Sequence, residues 1–256
     1  FDQWRYRFVR RGWYLIARLF PNFWWGRFEY LCESVPLANP CRPRFKSIAD
    51  QVLVHQMAVY GNRLQEMTEG RFTFLGVTLD FDGIHNFDWK RRLNTEDSLL
   101  WRLNLGYMGY AVPWLASGKP IDLERTSALV RGLSEKNTWL MPGVFKDIWN
   151  PYTVSHRIVN LLTGLNLFDR AGGDMSAGDV RAILSHCRFA VAYLLANLER
   201  DLQFNHLMKN YMALAVYGAA LERLPEHWGA FFTDAMVSIA QNFLGDGGHV
   251  ERSPMY

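Results

Sequence analysis

From residue 96 onward the chain repeats one pattern, with apolar residues spaced three and four positions apart, and this pattern constrains the fold most strongly. Residues at that spacing share one face of an α-helix, so each segment predicts an amphipathic helix. The predicted helices span 96–117, 122–138, 151–168, 177–197, 199–223 and 227–244. Short connections between them favour antiparallel helical hairpins and a mainly α fold.

Residues at the ends of these segments indicate where the helices begin and stop. Asn150-Pro151 offers a capping amide followed by proline at the first helical position. Further N-caps are predicted at Asp122 and Ser176, and further stops at Gly118 and Gly245.

The chain before residue 96 divides into two parts, a basic aromatic segment with a proline-containing linker over 1–45 and the start of the main domain, 46–256. A helix is predicted over 1–31, with an apolar face formed by Trp4, Phe8, Leu15, Ile16 and Leu19. This face predicts packing on the domain with solvated arginines; the alternative is contact with a membrane surface or an anionic polymer. A helix over 47–69 and a β-hairpin near 71–81 follow.

Composition excludes several classes of protein. The chain has 256 residues, 49% of them hydrophobic, which is enough for a large globular core. A net charge of +3 favours an anionic partner but is too small to indicate nucleic acid, and no nucleic-acid motif is present. No signal peptide or membrane-spanning run is visible, and Cys32, Cys41 and Cys187 lack metal-type spacing.

The helix predicted over 199–223 carries an unusual polar strip. Asn205 and Lys209 share one track at four-residue spacing, and His206 and Asn210 lie on the adjoining track. Such a strip is most simply the solvated side of an amphipathic helix. However, Asn is a poor helix former, so two Asn and one His within a helix also suggest a site.

The end of the sequence is dense in titratable groups. His249, Glu251, Arg252 and Tyr256 follow two adjacent glycines, Gly247-Gly248, after an apolar helix. A polar loop and a catalytic site both explain this density.

Several segments resemble the heparinase II/III-like polysaccharide lyases. The similar segments are Phe72-Thr73-Phe74-Leu75-Gly76, residues 100–107, residues 149–160, Leu198-Glu199-Arg200, Asn205-His206-Leu207 and residues 246–256. The resemblance covers most of residues 70–256 and is weaker over 1–70. It implies an incomplete (α/α) toroid of helical hairpins, with a C-terminal β-sandwich domain expected beyond this chain.

The resemblance also implies an activity, the cleavage of a uronic-acid polysaccharide by β-elimination. Asn205 and His206 match the pair that contacts the uronate carboxylate, and Tyr256 matches the catalytic tyrosine. Donors on the carboxylate stabilise the enolate-like charge that forms when the neighbouring carbon loses its proton, and a phenol can act as acid or base. Activity is expected when the chain is joined to its sandwich domain.

Other side chains are predicted to contact substrate. They are Arg157, His156, Trp101, Tyr107, Lys209, Glu251 and Arg252. For Arg157 an ion pair with a carboxylate is equally expected, and core packing is the alternative for the aromatic side chains. Glu251 can also hold Arg252, and Arg252 or His249 can lower the pKa of the tyrosine.

The predicted partners are an acidic polysaccharide and the protein's own sandwich domain, without nucleic acid or membrane-surface contact. No cofactor or metal is expected in this chain, although a structural metal in the sandwich domain is compatible with the family. The resemblance implies a periplasmic or extracellular location. The alternatives are a non-catalytic glycan-binding or exopolysaccharide-assembly protein, and a glycoside hydrolase using carboxylates such as Glu199, Asp201 and Glu251.

Overall fold

The computed structural model describes residues 2–84, 87–89, 98–137, 144–202, 204–226 and 228–242, and the fold is mainly helical with one small antiparallel sheet. The N-terminal half contains α1 (Asp2–Leu19), α2 (Pro21–Ser34), α3 (Lys46–Tyr60), α4 (Leu64–Thr68), β1 (Arg71–Phe74), β2 (Val77–Asp80), α5 (Ser98–Tyr107) and α6 (Ala111–Leu115). The remaining helices are α7 (Pro120–Lys136), α8 (Pro151–Arg170), α9 (Gly178–Ala196), α10 (Phe204–Ala219) and α11 (Trp228–Asn242). Short 3₁₀ turns occupy Pro43–Phe45 and Gly61–Arg63.

Helix α8 lies at the centre of the core and packs against α3, α5, α6, α9 and α10. Its start confirms the prediction, because the Asn150 side chain accepts a hydrogen bond from the Tyr152 amide at 2.9 Å and Pro151 is the first helical residue. Almost all of its residues are buried, including Arg157 and Asn160. A helix buried on all sides fixes the positions of the helices around it.

The predicted hairpin is confirmed. Strands β1 and β2 pair antiparallel, with Phe72 opposite Leu79 and Thr73 opposite Thr78. Both turn residues, Leu75 and Gly76, have positive φ, at 53° and 75°. This geometry matches the two-residue turn that fits the right-handed twist of paired strands.

Three of the predicted helices have different bounds. The segment 47–69 contains α3, a 3₁₀ turn over Gly61–Arg63 and the short helix α4. The segment 96–117 contains two helices, because Met108 takes a φ of 55° and the chain turns before α6. At Gly109 a β-carbon would lie 2.7 Å from both Gln56 and Tyr60, so a neighbouring helix dictates this break. Helix α10 begins at Phe204 rather than 199, since the preceding residues turn around buried carboxylates.

Two predicted N-caps are wrong. Helix α7 begins at Pro120 after Lys119, and Asp122 lies in its first turn, where it accepts hydrogen bonds from Ser117 and Arg125. Helix α9 begins at Gly178, and Ser176 instead bonds Asp174. Gly118 follows α6 with a φ of 69°, as a helix stop requires, whereas Gly245 lies outside the described residues.

The N-terminal segment forms two helices, divided at Pro21, and its packing differs from the prediction. The supposed packing face is exposed, with Phe8 81% and Trp4 74% accessible. The side of α1 that packs carries Trp13, Tyr14 and Ala17, and the Tyr14 ring stacks on Phe145 at 4.4 Å. Apolar spacing alone therefore identified the wrong face. No helix within the described ranges is both long and apolar enough to cross a membrane.

Candidate active site

The polar strip of α10 is built around the turn that precedes the helix. The backbone amide of Glu199 donates to Asn210 Oδ1 at 2.8 Å, and Asn210 Nδ2 donates to Glu199 Oε2 and Ser155 Oγ, both at 3.1 Å. Asn210 is fully buried. Its amide therefore has a structural reason to stand in a helix, because it joins the turn, α10 and α8.

His206 is held by a buried carboxylate. Its Nδ1 lies 3.2 Å from Glu199 Oε1, and the Glu199 side chain is fully buried while that of His206 is 37% exposed. A carboxylate at Nδ1 favours a proton there and fixes the orientation of the ring. Glu199 consequently orients the imidazole from its buried side, while part of the ring remains accessible to a ligand.

His206 is the outermost member of a column of four aromatic rings. The Tyr152 ring lies 4.8 Å from the rings of both His206 and His156, and Tyr107 stacks on His156 at 4.5 Å. Asn160 supports this column by donating to the Tyr107 carbonyl at 2.8 Å. The structure thus brings together Tyr107, His156 and His206, three residues selected from the sequence.

His156 is a neutral member of this column. Burial, with smaller effects from Lys209 and His55, lowers the pKa of His156 to about 3. Its Nε2 is buried and has no hydrogen-bond partner among the described residues. His156 therefore supports the column from inside, between the rings of Tyr107 and Tyr152, and its Nε2 does not face the solvent.

Asn205 and Lys209 lie one turn apart on the same side of α10. Both are half-buried, and burial lowers the pKa of the Lys209 ammonium. The amide oxygen of Asn205 is buried and lacks a partner in the described part of the chain. Lys209 has no ion pair with any carboxylate in those ranges. The Lys209 ammonium can therefore donate to an anionic ligand, whereas the Asn205 oxygen only accepts hydrogen bonds and does not face the solvent.

A cleft of about 580 Å³ adjoins the site, between α1 and the residues that lead into α8 and α10. Glu199 lies at its floor, and the exposed side chains of Arg11, Arg18 and Lys146 line it. Arg10 connects α1 to the floor, with NH2 2.7 Å from Asp201 Oδ2 and NH1 3.8 Å from Glu199 Oε1. The N-terminal helix is therefore one wall of the candidate site.

Two of the proposed ligand contacts lie in the core. Arg157 is fully buried and donates to His186 Nε2 at 3.0 Å and to the carbonyls of Gly106 and Ile148 at 3.1 and 3.2 Å. None of these bonds is the predicted alternative, an ion pair between Arg157 and a carboxylate. Trp101 is 1% exposed and donates to the Val77 carbonyl at 2.9 Å. Neither side chain is therefore exposed to a ligand.

Sequence reasoning missed several residues of the site. Tyr152 and Arg10 are not among the predicted site residues, and Glu199 is predicted only as part of a segment that resembles the lyase family and as a carboxylate of a hydrolase. The one signal for Glu199 was its position, seven residues before His206. The catalytic tyrosine of the prediction, Tyr256, lies outside the described residues, together with His249, Glu251 and Arg252. No cluster of three or more metal-ligating side chains occurs within the described ranges.

Comparisons of the chain with models of protein families, with curated proteins and with solved structures found no match. The resemblance to a lyase family therefore stays a prediction from the sequence.

Proposed function

We propose that this protein is a polysaccharide lyase that cleaves a uronic-acid-containing glycan by β-elimination. The observation that carries the proposal is the half-exposed His206, oriented by the buried Glu199, which also lines a cleft together with the cationic side chains of Arg10, Arg11, Arg18 and Lys146. An acidic polymer is the ligand that such a cleft attracts. The proposal includes the heparinase II/III-like family and its incomplete (α/α) toroid, and an extracellular or periplasmic location.

In the proposed mechanism, Asn205 and the imidazolium form of His206, which donates from Nδ1 to Glu199 and from Nε2 to the ligand, hydrogen-bond the carboxylate of the reacting uronate. Their donors stabilise the negative charge that moves onto the carboxylate as the neighbouring carbon loses its proton. The electron pair of the broken C–H bond forms a carbon–carbon double bond, and the glycosidic oxygen leaves from the next carbon. Tyr256 is proposed as the base that takes the proton, and a protonated acid of the site or water supplies one to the leaving oxygen.

The positions of Glu199 and Asp201 support this chemistry over a hydrolysis that uses these two carboxylates, and Glu251 lies outside the described residues. Hydrolysis needs two carboxyl groups facing each other across a cleft. Glu199 and Asp201 are both buried, and both face the guanidinium of Arg10 on one side. Their proposed role is to hold Arg10 and His206 in place.

The test is incubation of the protein with a panel of uronic-acid polysaccharides, followed by ultraviolet absorbance of the unsaturated uronate. We expect a rise on at least one polymer, lost in His206→Ala and Asn205→Ala and in Tyr256→Phe. Arg181→Ala, an exposed substitution on α9, is the control and should retain activity.

Binding of a polymer without any unsaturated product would replace the lyase with a non-catalytic glycan-binding protein. New reducing ends without ultraviolet absorbance would identify a hydrolase. Full activity in Tyr256→Phe would overturn the assignment of the base.

A further inference from the structure

The cleft contains cationic side chains that the proposed elimination does not use. Arg11 and Arg18 are exposed on α1, Lys146 is exposed before α8, and none of the three has an ion pair with a carboxylate of the described residues. Arg10 differs from them, because Asp201 and Glu199 hold its guanidinium. Three unpaired cations in one cleft create a positive potential that attracts an anionic ligand.

The positions of these side chains set the size of the ligand. Arg11 and Arg18 are seven residues apart in one helix, which separates them by about 10 Å along the helix axis. Arg11, Tyr14, Leu15 and Arg18 all line the cleft, so this side of α1 runs along it. A chain of several sugars can contact both arginines, whereas one sugar cannot.

The cleft also offers an aromatic surface between the two arginines. Tyr14 lines it, half-buried, and its ring is held parallel to Phe145 at 4.4 Å with an angle of 4° between the planes. A ring fixed in this way presents a flat, rigid apolar face, which suits packing against the face of a pyranose.

We propose that Arg11, Arg18 and Lys146 form a second anionic-sugar subsite. It binds a carboxylate or sulfate group on a sugar of the same polymer other than the uronate at His206, while Tyr14 contacts a sugar ring. The subsite rests on the proposed function for its polymer, and it makes the N-terminal helix a determinant of substrate length and charge.

The test compares Arg11→Gln/Arg18→Gln/Lys146→Gln with Lys119→Gln/Arg181→Gln/Arg223→Gln. The second triple variant removes the same charge from exposed positions that do not line the cleft. Both are combined with His206→Ala to block turnover. Titration calorimetry measures binding of uronic-acid oligosaccharides of increasing length, in sulfated and desulfated forms.

We expect the cleft variant to bind the longer oligosaccharides about 10-fold more weakly than the control variant, because it loses three charge contacts. Disaccharide binding should be equal in the two, and the difference should shrink at high salt. A loss confined to the sulfated series identifies sulfate as the group bound, and a loss in both series identifies the carboxylate.

Equal affinities of the two triple variants for every length would overturn the subsite. Binding and elimination are measured separately, so the two proposals can fail separately. If the cleft variant loses binding and the wild type catalyses no elimination, the subsite is retained and the lyase proposal is rejected. If the cleft variant that retains His206 catalyses elimination with an unchanged KM, the lyase proposal is retained and the subsite is rejected.

Discussion

At the scale of single residues, the candidate site depends on one buried carboxylate, that of Glu199. Glu199 is fully buried, bonds Asn210 through its backbone and side chain, and contacts His206 Nδ1 at 3.2 Å. Without that contact the imidazole would be free to rotate. The exposed catalytic candidate is thus positioned by groups in the core.

We therefore expect Glu199→Gln to lower kcat/KM for elimination about 100-fold, because small misplacements of a catalytic group have effects of that order. The fold should persist, since Gln retains an oxygen that can accept from Asn210. Glu222→Gln, at an exposed position after α10, is the matched control. Kinetics within about twofold of the wild type would show that Glu199 does not position His206.

At the scale of elements, the β1–β2 hairpin contains a residue in a costly conformation. Leu75 is 57% exposed and has a φ of 53°, a region that Asn and Gly occupy more readily than Leu. The flanking Thr73 and Thr78 hydroxyls bond each other at 2.8 Å, so the strands hold the turn in place.

Substitution of this turn residue tests the strain directly. We expect Leu75→Asn to raise the free energy of unfolding by about 0.5–1 kcal/mol, measured by urea denaturation. Leu75→Ala is the control, since it removes the same exposed side chain without a preference for positive φ. If Leu75→Ala raises the free energy of unfolding as much as Leu75→Asn does, the effect comes from removing an exposed apolar side chain and not from the backbone conformation.

At the scale of the whole molecule, buried neutral histidines connect stability to pH. His186 Nε2 accepts from Arg157, and its Nδ1 lies 3.1 Å from Ser134 Oγ. Burial and the Arg157 charge hold the pKa of His186 well below its usual value of 6.5, and burial lowers that of His156 to about 3. The unfolded chain binds protons at these side chains first, so acid favours unfolding.

Above about pH 6.5 these histidines do not lower the free energy of unfolding, because they are neutral in both states. As the pH falls from there toward the folded pKa, the unfolded chain binds protons that the folded chain does not, and the free energy of unfolding decreases. From pH 7 to pH 5 the loss of stability amounts to about 2 kcal/mol for His156. His156→Phe keeps a ring between Tyr107 and Tyr152 but cannot titrate. Urea denaturation at the two pH values should show that the variant loses less free energy of unfolding than the wild type, by about that amount. Equal losses in the variant and the wild type would contradict a neutral His156 in the folded state.

The sequence by itself determined the helical class, the hairpin and the Asn150-Pro151 helix start, because these depend on local spacing, turn residues and capping. It also selected Tyr107, His156 and His206, which the structure brings into one column. Tertiary contacts decided the rest. The α5–α6 break follows from the approach of α3, and the packing face of α1 from the aromatic side chains it meets. The partner of Arg157, His186, is distant in sequence, and the partners of Glu199, His206 and Asn210, lie on the other side of a turn. No local sequence pattern specifies which side chains meet in these places.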